Sequence, residues 1–306
     1  MDFAPIALFT YNRADHTQRV VESLLQNKEA KDSDLFVFSD GAKNEQTIYS
    51  VLENREFIYT IKGFKSVTII EREKNWGLSK SLIAGITDLV NKFGRVIVVE
   101  DDLILSPYFL QFMNEALDKY EIDDRIASIG GFLHPIHGNI PETFFLRNFG
   151  CWGWATWKRG WELFNPNAKD LLCQLRWKKR DFNMNDWGPF YGILYCHKVG
   201  LVDSWALRFS ASCFLKGKLQ LIPGRNMAIQ NGMDGTGTHS GYNNKFANMK
   251  LSMSPIVLHD IPVEENKAMY KAYSVFFADG RKWYYPVVLY DRLKSFVRRL
   301  LNIDSK

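Results

Sequence analysis

Three consecutive acids, Glu100-Asp101-Asp102, stand directly behind the apolar run Val96-Ile97-Val98-Val99. The β-branched run reads as a buried strand of a mainly parallel sheet, which places the acids at its carboxyl end. Open α/β sheets bind their ligands at that edge. Carboxylates packed together repel, and a hard divalent cation with oxygen ligands relieves the repulsion while attracting an anionic phosphate group. Acids after a strand also cap helices, but Ser106-Pro107 already supplies a cap and a first-turn proline here. A metal site is therefore the favoured reading of the triplet.

Other residues with usable chemistry fall at comparable places. Thr10-Tyr11-Asn12-Arg13 follows the first apolar run and brings polar groups and one cation to the sheet edge. Asp40, in Ser39-Asp40-Gly41, can accept hydrogen bonds from a base or ribose, although Ser-Asp-Gly is also an ordinary turn. Asn75-Trp76-Gly77 precedes a helix and lets backbone approach a ligand, with Lys80 just inside that helix. Taken singly, each of these is as well explained by a turn or a solvated side chain. Nine tryptophans are many for 306 residues, and seven lie between Trp152 and Trp205. That clustering divides between core filling and a surface for ring-shaped ligands such as sugars.

The elements that must position these groups alternate through the first 130 residues. Pro5 to Phe9, Leu35 to Phe38, Val67 to Ile70 and Val96 to Val99 read as strands. A helix starts near Asp15, with Gln18 in capping-box spacing and Val20, Val21, Leu24 and Leu25 as its buried stripe. A second follows Ser79, buries Leu82, Ile86, Leu89 and Val90, and stops at Gly94. A third begins at Ser106-Pro107 with Phe109, Phe112, Met113 and Leu117 inward. This alternation predicts an α/β fold with a parallel sheet covered on both faces. Beyond Gly130 the pattern changes. Gly150 to Trp161 (GCWGWATWKRGW) is rich in glycine and tryptophan, and Gln220 to Tyr242 reads as a long glycine-rich loop of the kind used as a lid.

Composition narrows the class. Hydrophobic residues at 46% and charged residues at 24% are ordinary globular values, and no run approaches a membrane span. The N-terminus lacks a basic region before its short apolar run, so a secretory signal is not expected. Cys151, Cys173, Cys196 and Cys213 form no CxxC pair, which suggests reduced thiols in a cytoplasmic protein. The net charge is +5, with seven Lys/Arg against two acids both in 158–180 and in 281–306. The tail Tyr290 to Leu301 (YDRLKSFVRRLL) has the spacing of a basic amphipathic helix, which suits peripheral contact with the inner face of an anionic membrane; docking on the domain is nearly as good a reading. No nucleic-acid partner is indicated.

In combination these motifs resemble a family. Asn-Arg after strand one, Asp-Gly after strand two, Asn-x-Gly before the next helix and acids after strand four resemble the nucleotide-sugar half of GT-A glycosyltransferases. GCWGWATWKRGW is similar to the Gly/Trp segment of bacterial polysaccharide and lipopolysaccharide glycosyltransferases (family 2-like), and Glu-Asp-Asp to the motif of the N-acetylglucosaminyltransferase I group. Val202-Asp203-Ser204-Trp205 looks like the Trp-Asp-x-x-Trp stretch that holds the catalytic base. Asn226 to Ser240 (NMAIQNGMDGTGTHS) looks like the family's later Asn/Gly/Thr-His loop.

The resemblance implies a GT-A fold with a donor half at 1–130, an acceptor-binding half at 131–255 and a C-terminal extension at 256–306. It implies Mn²⁺ or Mg²⁺ on Asp102, and Asp101, with Glu100 beside it, toward the ribose or sugar. Thr10, Asn12, Arg13, Asp40, Asn75 and Lys80 would surround the nucleoside of a UDP-sugar, and His239 with Ser240 would reach the diphosphate. Trp152 and Trp154 would stack on an oligosaccharide or lipid-linked glycan acceptor. The implied reaction is sugar transfer to a hydroxyl with inversion. Val202 stands where the family has tryptophan and Ser204 where one version has a second Asp, so the base is Asp203 or, second, Asp186. A nucleotidyltransferase that makes the nucleotide sugar is less well supported, because 10–15 contains no glycine. A non-catalytic glycan-binding protein leaves the triplet without a purpose.

Overall fold

The computed structural model describes residues 3–231, 246 and 249–278. Four parallel strands, β1 (Ile6–Thr10), β2 (Asp34–Ser39), β3 (Ser66–Glu71) and β4 (Arg95–Glu100), lie in the order β3-β2-β1-β4. A short β5 (Leu103–Leu105) leaves this sheet at the triplet. The sheet continues with β6 (Ile126–Gly130), β7 (Thr143–Leu146), β8 (Trp154–Trp157) and β9 (Leu219–Pro223), giving the full order β3-β2-β1-β4-β8-β6-β9-β7. β8 runs antiparallel to both β4 and β6, and β7 antiparallel to β9, whereas β6 and β9 are parallel. β10 (Ala228–Gln230) pairs antiparallel with β5.

Strand alternation sends side chains to two cores. Ile6 and Leu8 of β1, Leu35 and Val37 of β2 and Ile97 and Val99 of β4 pack on one face. That face is covered by α1 (Ala14–Leu25), α2 (Ile48–Ile58) and, after α3, by α4 (Phe109–Lys119). The intervening residues Ala7, Phe9, Phe36, Phe38, Val96 and Val98 meet α3 (Leu78–Phe93) on the other face. The same face carries α5 (Lys158–Trp161). It is followed by α6 (Ala168–Leu175), α7 (Lys179–Phe182), α8 (Phe190–Lys198) and α9 (Trp205–Leu215), of which α9 returns to the sheet. α10 (Lys267–Phe277) packs beside β7.

The expected strands and the helices α1, α3 and α4 form where the periodicity put them, and Gly94 ends α3 in the left-handed region at φ 77°. Three features differ. The capping box at Asp15 and Gln18 does not form: α1 starts after Arg13 without a side-chain cap, and Gln18 donates to Glu22 at 2.8 Å. α2 carries no clean stripe, because Val51, Asn54 and Ile58 are buried while Ile48, Tyr49 and Leu52 are exposed, so its periodicity is silent. Within the expected loop, β9 and β10 form on either side of a short turn at 224–227, with Leu221 and Ile222 buried between β6 and β7. The loop residues His239 and Ser240 and the basic tail 290–301 lie outside the described residues. No helix among the described residues is long and apolar enough to cross a membrane.

Candidate active site

β4 delivers Glu100 to the ligand edge, and the chain turns through Asp101 and Asp102 into β5. Arg13, the last residue before α1, ion-pairs with Asp101 and lies 3.5 Å from Asp102 Oδ2. The β5–β10 ribbon sets Gln230 opposite Leu103, and from there its side-chain amide donates to Asp102 Oδ2 at 3.3 Å. The Asn231 amide also donates to the Asp102 carbonyl at 2.7 Å. Among the described residues, the three acids thus share Arg13 as their cation. Burial, with Asp102 and Asp101 adding repulsion, pushes the Glu100 carboxyl well above the usual carboxylate range. Asp101 also rises despite its ion pair, because burial outweighs the pull of Arg13. The Cys151 thiol is pushed up by burial and by the charges of Glu100 and Asp102, which puts Cys151 beside the triplet.

This donor set fits a divalent cation of a particular kind. The crowding that raises Glu100 and Asp101 is what such an ion relieves. Among the described residues, however, no three His, Cys, Asp or Glu groups converge to enclose a metal. The acids suit an ion that brings most of its oxygens with it, as phosphate and water, and takes one carboxylate from the protein.

Asp40, after β2, is buried and fully occupied. Its Oδ1 accepts from the amides of Gly41 (2.9 Å) and Trp76 (2.8 Å), and its Oδ2 from the Gly77 amide (2.9 Å) and Asn75 Nδ2 (3.1 Å). It therefore organises the 75–77 loop rather than presenting a free acceptor. Asn75 Nδ2 also donates to the Gly41 carbonyl at 2.8 Å. A side chain at Gly41 would strike the backbone of Lys74, which is why the two loops close so tightly there. The loop presents Trp76, 36% exposed, with the Arg72 guanidinium 4.0 Å and Lys80 Nζ 4.5 Å from its ring centre.

Two α2 residues, invisible in the sequence pattern, tie the strand ends together. Asn54 donates to Thr10 Oγ at 3.1 Å, so Thr10 is buried and partnered within the protein. Arg55 donates to the carbonyl of Arg72 (2.8 Å) and to Ser39 Oγ (3.2 Å) and pairs with Glu71 at 3.1 Å. Asn12 Nδ2 reaches Ser50 Oγ at 3.4 Å.

The tryptophan segment divides. Trp154, opposite Val98 on β8, is 1% exposed, stacked on Trp205 at 5.6 Å and flanked by Trp161 and Phe209. It is core, and the expected acceptor stacking by Trp154 is corrected: the antiparallel β8 turns that ring into the sheet–helix layer. Trp152 is half-buried at the edge, its ring against Phe132 at 4.4 Å and Phe246 at 5.5 Å.

Asp203 precedes α9, whose Ser204 caps it. Its side chain is 63% exposed, and its Oδ1 accepts from Arg208 Nη2 at 2.8 Å and lies 3.4 Å from His197 Nδ1. Arg208 also donates to Ser79 Oγ, in the first turn of α3, at 2.7 Å, which ties Asp203 to the helix that follows β3. Asp186 lies elsewhere in the chain's architecture. It closes a run of three left-handed residues, Met184, Asn185 and Asp186 (φ 50°, 60° and 66°), and Met184 packs in the cluster beneath α10.

Residues 6–179, more than half of the chain, match the family Glycosyl transferase family 2. The chain belongs to glycosyl transferase family 2. Its mixed sheet with helices on both faces is the α/β architecture of a GT-A fold. Among curated proteins, an Arabidopsis thaliana protein named alpha-1,3-mannosyl-glycoprotein 2-beta-N-acetylglucosaminyltransferase is 24% identical over 187 residues, 54% of this chain and 40% of that protein. The chain thus spans less than half the length of this curated relative. Among solved structures, the mannosyltransferase PcManGT from Pyrobaculum calidifontis in complex with GDP-Man and Mn²⁺ is 14% identical, covering 70% of this chain and 74% of that one at a TM-score of 0.37. S. aureus TarS 1-349 is 17% identical over 47% of this chain and 41% of that one, at 0.32.

Proposed function

We propose that this family 2 member transfers a sugar from a UDP-sugar to a hydroxyl of a glycan acceptor, with a divalent cation at Asp102 and inversion at the anomeric carbon. The observation that carries the reading is the triplet: three carboxylates against one guanidinium at the ligand edge of the sheet. The curated relative, named for N-acetylglucosaminyl transfer to a mannosyl glycoprotein, supports a sugar hydroxyl as acceptor. A role in bacterial surface polysaccharide synthesis, at the cytoplasmic face of the membrane, follows from the motif resemblance alone.

When bound, Mn²⁺ or Mg²⁺ supplies Lewis-acid stabilisation of the charge that grows on the leaving diphosphate. The chain's own residues do the rest. Asp102 would hold the ion, and Arg13, whose Nη1 is buried without a partner among the described residues, would add a cation to the diphosphate side. The 75–77 loop, held by Asp40, presents Trp76 and Lys80 to the nucleoside. The acceptor oxygen attacks the anomeric carbon opposite the diphosphate, the bond to the diphosphate oxygen breaks with its electron pair, and Asp203 takes the hydroxyl proton.

A thermal-shift screen of UDP-sugars with and without Mn²⁺, together with UDP-release assays, tests this. Stabilisation by UDP-sugars should require Mn²⁺ and should vanish in Asp102→Ala along with turnover, while that variant melts normally without ligand. Full turnover by Asp102→Ala would sink the metal assignment.

A further inference from the structure

We propose that Arg208 is a positioning residue of the transfer reaction: it clamps one oxygen of Asp203 and locks that acid to the donor-side helix α3. The proposal rests on the reading of Asp203 as proton acceptor. Arg208 is only 7% exposed, and arginine is seldom so buried without a specific task. Its guanidinium reaches Asp203 Oδ1 at 2.8 Å and Ser79 Oγ at 2.7 Å through Nη2, and the Ser204 carbonyl at 3.2 Å through Nε. Its flat face lies 5.6 Å from the ring centre of Phe164.

Stability does not account for this arrangement. Asp203 is 63% exposed, and an ion pair with one exposed partner contributes little, whereas burying the guanidinium costs free energy. An apolar side chain would fill the same space between α3 and α9 at lower cost. Geometry does account for it. With Oδ1 held by Arg208 and facing His197, the other oxygen, Oδ2, carries no hydrogen bond among the described residues, on a side chain that is largely exposed. One fixed oxygen and one open oxygen are what a proton acceptor needs if its lone pair is to meet an incoming hydroxyl. Nη2 also joins Asp203 to the first turn of α3, two residues from the loop that Asp40 organises, while Nε ties the same guanidinium to the Ser204 carbonyl, so the acid is registered against the donor subsite by one side chain. A lysine has one nitrogen and no Nε–H, so it cannot hold the Ser204 carbonyl together with Asp203 and Ser79.

The test is UDP release by the full chain with Mn²⁺ from a panel of UDP-N-acetylglucosamine, UDP-glucose and UDP-galactose, taking the donor turned over fastest. Arg208→Lys should lower kcat about 10- to 100-fold, as misplacement of a reacting group by about 1 Å does, with donor KM changed less than about threefold. Ser79→Ala, which removes only the anchor on α3, should lower kcat about 3- to 10-fold and guards against misfolding of the arginine variants. In an Asp203→Asn background, Arg208→Lys should have no further effect on kcat, since the clamp acts only through that acid. Losses that multiply in the double variant mean a structural role and overturn the proposal. Wild-type kcat in both Arg208→Lys and Ser79→Ala, with Asp203→Asn inactive, overturns it too and leaves Asp203 as base. Full turnover by Asp203→Asn, or no turnover of any donor by the wild type, removes the reading on which the proposal stands.

Discussion

Replacing Asp40 by Asn is nearly isosteric and should nevertheless be one of the more damaging changes in the molecule. The two oxygens of Asp40 each accept two hydrogen bonds, Oδ1 from the amides of Gly41 and Trp76, and Oδ2 from the amide of Gly77 and from Asn75 Nδ2. An asparagine must put its NH₂ on one side or the other, and on either side it meets two donors. Turning Asn75 to compensate forfeits its 2.8 Å bond to the Gly41 carbonyl. Two charge-assisted bonds at a buried site are therefore lost, each contributing about 1.5–3 kcal/mol. Part of the sum is recovered as the 75–77 loop opens to water, so about 3 kcal/mol is expected. At roughly 2–4 °C per kcal/mol for a chain of this size class, the ligand-free protein should melt about 6–12 °C lower. Differential scanning calorimetry reads this directly, and amide exchange at Trp76 and Gly77 should accelerate. If Asp40 serves only to recognise a nucleoside, Asp40→Asn will melt within about 2 °C of wild type and lose donor affinity alone. That result would refute the reasoning.

Two other outcomes follow from burial. His134, four residues past β6, has an Nδ1 without a partner among the described residues and is ringed by Phe132, Tyr273, Phe276 and Phe277, and burial depresses its pKa to about 3. Because the folded value lies below the unfolded value of about 6.5, the unfolded chain binds the proton more tightly; the stability is present at neutral pH and is lost as pH falls from 6.5 toward 3, about 2 kcal/mol between pH 7 and pH 5. Urea midpoints of wild type and His134→Phe at the two pH values check this, and an equal drop in both would contradict it. Trp154→Ala should cost about 3–5 kcal/mol of stability as a cavity opens among Trp161, Trp205 and Phe209, and Trp154→Phe should retain acceptor KM; a selective rise in acceptor KM without destabilisation would restore Trp154 to the acceptor site.

The strands that end at Thr10, Ser39 and Glu100 were legible from their apolar runs, and with them the placement of Arg13, Asp40 and the triplet at one edge. Their employment was not. Asp40 reads as a free acceptor until the 75–77 loop folds onto it, and Trp154 as a sugar platform until β8 runs antiparallel to β4. α2 left no trace, since its apolar residues surround it, although Asn54 and Arg55 join three strand ends.

Sequence by itself therefore determined the α/β class and which acids reach the sheet edge, because burial of alternating or β-branched runs is a local matter of a few adjacent residues. It also carried the family, through motifs each confined to one turn. Tertiary structure alone decided the partners. Gln230 lies 128 residues from Asp102, and Arg208 lies 129 from Ser79. Such pairs carry no periodicity, since hydrogen bonds between distant segments depend on how strands order and helices dock. Which carboxylate oxygen is held and which stays open is a property of the packed molecule.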